Sequence, residues 1–221
     1  VSRDEPLLAE NEILCPGQAL FCVLAETRIE ARKAARLFKL ESEELPALTT
    51  VDDAVDADSF LHDPMVFKRG DATAAIEGAD DRRSGRFYIG GQEHFYLEGQ
   101  GCLALPGLDG IHVISSTQHP SEIQDLAAAA LGISAAEITI EVRRMGGAFG
   151  GKETQAAPLA VIAALGVQRT GRPVRFRLDR DDDFVLTGKR HDFRMDYAVG
   201  FDHAGRVTGV EGTMASRCGY G

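Results

Sequence analysis

Apolar residues along this chain fall into short runs whose period predicts an element, separated by glycine-rich or acidic stretches. "QALFCVLAE", residues 18–26, is a near-continuous apolar run of strand length. Thr27-Arg28-Ile29-Glu30 then has the spacing of a capping box and opens an Ala/Arg-rich helix. "LPALTT" resumes an extended pattern, so residues 1 to about 50 are expected to hold a strand-helix-strand element of a small domain. From Phe67 the texture changes. "GRFYIGG", "GQGCLALPG" and "GIHVISSTQ" alternate between apolar and polar positions and are punctuated by glycine, which predicts an antiparallel, half-buried sheet. Phe95, Tyr96 and Leu97 read as the inward residues of an ordinary strand.

The second half continues in the same way. Ser121-Glu122-Ile123-Gln124 is a second capping-box pattern, opening the helix "SEIQDLAAAALG" with Gly132 as its stop. "EITIEVRRM" is a strand, and a glycine-rich stretch follows it directly. "TQAAPLAVIAALGVQRTG" reads as an apolar helix that tolerates Pro158 only near its first turn. "RPVRFRLDR" is a strand with Arg175 and Arg177 outward against Val174, Phe176 and Leu178. "FRMDYAVGFDHAGRVTGVEGTMAS" closes as a hairpin through Asp202-His203-Ala204-Gly205. No internal repeat is visible.

Composition narrows the classes of function. Of 221 residues, 44% are hydrophobic, enough for a real core, and the net charge of -10 repels nucleic acid. No apolar run approaches the roughly 20 residues of a membrane span, and the start of the chain lacks the basic-then-apolar pattern of a signal peptide. The expectation is a soluble, cytoplasmic protein with no membrane or nucleic-acid partner. Between Lys39 and Lys68 there are eight Asp/Glu and no Lys or Arg, the texture of a solvated face or linker. Cys15, Cys22, Cys102 and Cys218 are scattered without metal spacing and read as small core residues. Both ends look cut, so the chain reads as a piece of something longer.

Chemistry concentrates in two places. "RMGGAFGGKETQ", residues 144–155, nearly fits the phosphate loop G-x-x-x-x-G-K-[ST] through Gly146, Gly151 and Lys152. Glu153 occupies the position of the magnesium-binding hydroxyl and puts a negative charge beside any phosphate. A plain tight turn accounts for two glycines. Four in six residues around Phe149 imply that something must come close to the backbone. The second place is "GGQEHFYLEGQ", residues 90–100, where Gly90-Gly91 sets the Gln92 amide at a glycine-opened bend ahead of Glu93 and His94.

Together, "GGQEHFYLE" and "RRMGGAFGGKETQ" resemble the molybdenum hydroxylases, and look like two signature segments in the large subunit of xanthine dehydrogenase. "LDRDDDFVLTGKRHDF" resembles a third segment of that family, and "DEPLLAENEILCPGQALFCVLAET" is similar to the end of its preceding hammerhead domain. The resemblance implies an α+β chain. Residues 1–65 would be the C-terminal part of the hammerhead domain, and residues 66–221 the N-terminal part of a mixed-sheet molybdopterin-binding domain. It also implies a molybdenum-molybdopterin cofactor, held through the pterin with no direct protein ligand, that hydroxylates a purine such as hypoxanthine or xanthine.

Residue by residue, Gln92 matches the glutamine whose amide donates to an oxygen on molybdenum. Gly147, Ala148, Phe149, Gly150 and Gly151 match the loop whose backbone approaches the cofactor, with Gln92 and Phe149 nearest the metal without ligating it. Glu153 matches the glutamate that faces the purine in xanthine-oxidising members, where aldehyde-oxidising relatives carry a different, usually apolar, residue. The family's general-base glutamate and substrate-clamping arginine lie beyond Gly221. FAD and [2Fe-2S] clusters belong to other domains or to an iron-sulfur/FAD subunit. The resemblance therefore implies an active parent enzyme, with this chain alone inactive and self-associating. Two other readings are an inactive scaffold or assembly subunit, and a nucleotide-binding module built on the loop 146–152.

Overall fold

The computed structural model describes residues 6–218 and shows a mixed α+β protein with two sheets. The chain divides into two compact units, each discontinuous in sequence. One comprises residues 6–42 and 93–189, the other residues 43–92 and 190–218.

The first unit is built on a four-stranded sheet of order β4-β3-β2-β5: β2 (Gly101–Pro106), β3 (Ile111–Ser115), β4 (Ile138–Glu141) and β5 (Val174–Arg177). β2 is antiparallel to β3 and β5, whereas β3 and β4 run parallel across the crossover helix α4 (Pro120–Leu131). β3 buries alternate residues, as a strand with one covered face must. Helix α5 (Ala157–Thr170) packs on the same core with α4. Its buried residues include Ala157, Ala160, Ala163 and Ala164, and these small side chains let it lie close to the sheet. Ile123 and Val113 are fully buried at the centre, each contributing about 1.5–3 kcal/mol through lost apolar surface. Helix α6 (Arg180–Leu186) follows β5 directly.

The second unit carries the three-stranded antiparallel sheet β1-β6-β7, from β1 (Asp81–Ile89), β6 (Phe193–Phe201) and β7 (Val207–Ser216). The expected turn at Asp202–Gly205 joins β6 to β7, with the Asp202 carboxylate accepting from the backbone N–H of Ala204 and Arg206 at 2.9 Å each. Helices α2 (Val51–Asp56) and α3 (Ala72–Glu77) belong to this unit, and α2 lies within the acidic stretch 39–68 that composition read as a solvated face or linker. Thr50 and Asp71 cap them, accepting from the N–H of Asp53 and Ala74. α3 lies so close to the strands that a side chain at Gly200 would meet Ile76 Cα at 3.0 Å.

Several expectations need correction. The Thr27–Glu30 capping box is present and opens α1 (Arg28–Ala35), but residues 18–26 are not a strand. Their apolar side chains pack, as Phe21 does on Phe38 with ring centroids 4.2 Å apart, yet no neighbouring strand offers a ladder. "LPALTT" is not a strand either. α4 begins at Pro120, whose fixed φ suits a first helical position, so Ser121 is already inside the helix and makes no cap. Gly132 ends α4 in the left-handed conformation as expected, with φ 68°. Of the four cysteines, Cys102 is buried while Cys22 and Cys218 are exposed.

Candidate functional site

The segment 93–98 runs irregularly toward β2, with Phe95 at a positive φ of 50°. Tyr96 is buried, while Phe95 is 69% and Leu97 90% exposed, so only the middle of the three expected inward residues is inside. His94, Tyr96 and Glu98 instead face the glycine loop. A side chain at Gly146 would meet Glu98 Cβ at 2.6 Å, and one at Gly151 would meet the His94 and Tyr96 rings at 2.8 Å. Two stretches that stood about fifty residues apart in sequence thus lie in direct contact within the first unit.

The loop itself is strained where it is exposed. Gly147 and Gly150 take positive φ, as expected of glycine, and so does Phe149, at 57°. An aromatic residue in that region costs about 1–3 kcal/mol and persists only where its surroundings impose it. The Phe149 side chain is 74% exposed, whereas Ala148 is buried. The backbone N–H of Gly146 donates to Glu98, that of Gly151 to the Ala148 carbonyl, and those of Gly150 and Lys152 to the Gln118 side-chain oxygen. The amides of Gly147, Ala148 and Phe149 have no partner among the described residues. Glu153, just past the loop, is exposed, and its carboxylate likewise lacks a partner among the described residues.

Beneath the loop is a buried polar cluster. Asp183, 1% exposed, accepts from the Tyr96 hydroxyl at 2.7 Å and from the Gln100 N–H at 3.0 Å. The Gln100 amide donates to the Tyr96 oxygen at 3.0 Å and to the Gly151 carbonyl at 2.8 Å. Lys152 is buried and turns its ammonium toward Ser116, Glu98 and the Tyr96 ring. The nucleotide-binding alternative needed that ammonium on a phosphate, and the fold has committed it elsewhere. Burial lowers the Lys152 pKa, with Glu98 opposing. Glu98 also meets a burial penalty, but hydrogen bonds from Gly146 and Ser116 and the Lys152 charge outweigh it and hold its pKa below the ordinary value.

Burial first, then the Asp183 contact, pushes the Tyr96 hydroxyl up to about 12 from 10.0. The folded state holds that proton more tightly than the unfolded chain does. The stabilisation is therefore complete below about pH 10 and is lost as pH rises toward 12. The expected loss is about 2–3 kcal/mol. Ultraviolet titration should show one of the four tyrosines ionising late, and Tyr96→Phe should remove that late step and flatten stability across the same range.

Gln92 lies in the second unit, where an isolated bridge fixes its backbone: Gln92 and Arg190 exchange N–H···O bonds of 3.0 Å each. Its side chain is exposed and has no hydrogen-bond partner among the described residues. A side chain at Gly91 would crowd the Arg190 carbonyl at 3.1 Å, which accounts for the glycine before it. The third quoted segment, 178–193, thus holds the segment 90–100 at two points, through Arg190 on Gln92 and through Asp183 on Tyr96 and Gln100. Sequence reading singled out the loop and Gln92 but missed Ser116, Gln118 and Asp183. The one available signal for Asp183 was an acid inside that third segment. Among the described residues, no three His, Cys, Asp or Glu side chains gather as metal ligands.

Residues 56–221 match the family profile described as the molybdopterin cofactor-binding domain. The chain is 40% identical over 221 residues to the xanthine dehydrogenase/oxidase of Felis catus, covering 99% of this chain and 17% of that protein. It is also 40% identical over 212 residues to aldehyde oxidase 2 of Rattus norvegicus, covering 95% of this chain and 16% of that one. The crystal structure of quinoline 2-oxidoreductase from Pseudomonas putida 86 superposes with a TM-score of 0.85 at 26% identity, over 95% of this chain and 28% of that chain.

Proposed function

Because this chain belongs to the molybdopterin cofactor-binding domain family, we propose that it forms one wall of the cofactor site in a longer purine hydroxylase of the xanthine dehydrogenase type. In this reading residues 1–65 end a hammerhead domain and residues 66–221 begin the cofactor domain, while FAD and iron-sulfur centres sit elsewhere in the parent protein or on a partner subunit. The residues fit such a group: three adjacent loop amides have no partner among the described residues, and two glycines keep side chains off the backbone. When bound, the molybdenum-pterin group supplies oxygen-transfer chemistry and takes up the electrons released by the substrate.

This chain's own residues bind and orient. In the parent protein Gln92 would donate its amide N–H to an oxygen of the group. The Gly147, Ala148 and Phe149 amides would donate to its other oxygens, Gly150 supplies the positive φ of the turn, and Gly151, with no Cβ to meet His94 and Tyr96, lets the loop sit close to its support. Glu153 accepts from a purine ring N–H and stabilises charge as it develops on the ring.

The purine assignment is carried by Glu153, an exposed, unpartnered carboxylate at the loop exit. Overall identity does not decide between substrates, since a xanthine and an aldehyde enzyme match equally well at 40%. In the parent protein, Glu153→Val should lower kcat/KM for xanthine by about 2–4 kcal/mol, leave molybdenum content unchanged and spare aldehyde turnover. Unchanged kcat/KM for xanthine would overturn the purine assignment. Wild-type protein that acquires no molybdenum would overturn the cofactor reading itself.

A further inference from the structure

We infer that Lys152 and Glu98 are a positioning pair that closes the glycine loop from below and so holds its unpartnered amides in place. The role rests on the reading of the loop as a cofactor seat. The pair itself is read from contacts alone.

The Lys152 side chain has 0% exposure. An ammonium is rarely buried this far unless something needs it there, because leaving water costs several kcal/mol that only an anion and good hydrogen bonds offset. Here Nζ lies 2.8 Å from Ser116 Oγ and 3.3 Å from Glu98 Oε2, and 4.6 Å from the Tyr96 ring centre. The same Glu98 oxygen accepts from the Gly146 N–H at 2.9 Å and from the Ser116 hydroxyl at 2.7 Å. One carboxylate oxygen therefore gathers the first residue of the loop, the last residue of the loop and the residue just after β3.

The geometry makes the two ends of the loop dependent on each other. The Glu98 side chain is 43% exposed, so without the ammonium it can turn toward water. Gly146 would then lose the acceptor of its N–H and keep only the 3.0 Å bond that its carbonyl accepts from the Glu98 backbone N–H, so the entrance would loosen. The exit has separate anchors that survive this loss. The Lys152 carbonyl accepts from the Gln118 N–H at 2.8 Å and from Thr117 Oγ1 at 3.1 Å. Removing the pair should therefore loosen Gly146 through Phe149 and leave the exit bonded. A residue that merely fills space under the loop would not separate the two ends.

The test uses the parent protein as wild type, Lys152→Met, Glu98→Gln, the double variant and Ser116→Ala. Hydrogen exchange of the individual amides of residues 144–155 is followed on protein made without molybdate, and molybdenum content on protein made with it. Each single charge variant should speed exchange of the Gly146 amide, the loop N–H that the pair holds, by about tenfold and leave the Gly150 and Lys152 amides unchanged. The double variant should be no worse than either single one, since both remove the same interaction. Molybdenum content should fall in parallel. Ser116→Ala, which removes only a hydroxyl, should show a smaller loss of the same kind and serves if a charge variant does not fold. Unchanged exchange in these variants, or effects that add in the double variant, would overturn the pair. Faster exchange in variants of a wild-type protein that takes up no molybdenum would uphold the pair and sink the cofactor reading.

Discussion

Asp183→Ala should destabilise the chain by about 3–5 kcal/mol, among the largest losses expected from a single substitution in this protein. Asp183 is 1% exposed and ties the segment Tyr96–Gln100 to helix α6. Its removal strands the Tyr96 hydroxyl and the Gln100 N–H without acceptors, in a place where water does not reach. It also takes the nearby anion from Arg180, whose Nη1 lies 4.0 Å from the carboxylate. Asp183→Asn should be milder, because one oxygen remains to accept. Urea unfolding followed by circular dichroism checks the order wild type, Asn, Ala. A loss below about 1 kcal/mol for the alanine variant would show that the cluster is dispensable.

Gly151→Val in the parent protein should leave the molybdenum site largely empty, with content down by about tenfold or more in protein that still folds. The new Cβ would stand 2.8 Å from His94 and Tyr96 ring atoms. Tyr96 cannot swing aside, since Asp183 and Gln100 hold its hydroxyl, and the Gln100 amide also holds the Gly151 carbonyl. The loop must lift instead, at a strain of about 1–3 kcal/mol. Gly150 makes the contrast. Its Cβ would find nothing nearer than His94 at 3.8 Å, so Gly150→Ala meets only the cost of its positive φ, about 1–3 kcal/mol, and should keep more metal. Full metal occupancy in folded Gly151→Val protein would refute the account of the loop as a closely seated backbone.

The regular elements were legible wherever a period was sustained. β2, β3, α4 and α5 follow from alternation or from a long apolar helix with a proline near its start and a glycine after its end. Residues 18–26 misled because apolar character predicts burial, whereas a strand also needs a neighbour, which no local pattern records. α2 and α3 are six residues each, too short for a period, and only their caps Thr50 and Asp71 marked them. At the site, glycine spacing exposed the loop because close approach restricts residue type. The side chains that hold it up were invisible as such. Asp183 meets Tyr96 across 87 positions and Lys152 meets Glu98 across 54, and polar residues bound for the interior look the same in sequence as those bound for the surface.

The alternation of the segment 93–98 has a consequence for how this protein can change over evolutionary time. With His94, Tyr96 and Glu98 against the loop and Phe95 and Leu97 in the open, substitutions at 95 and 97 alter what the surface presents and leave the support intact. Inserting or deleting one residue there is a different kind of event. It would displace Tyr96 and Glu98 together from the positions that meet the loop, so that the supports this segment supplies are lost at once. Lineages of this protein should therefore vary in letters along this stretch and hold its length fixed.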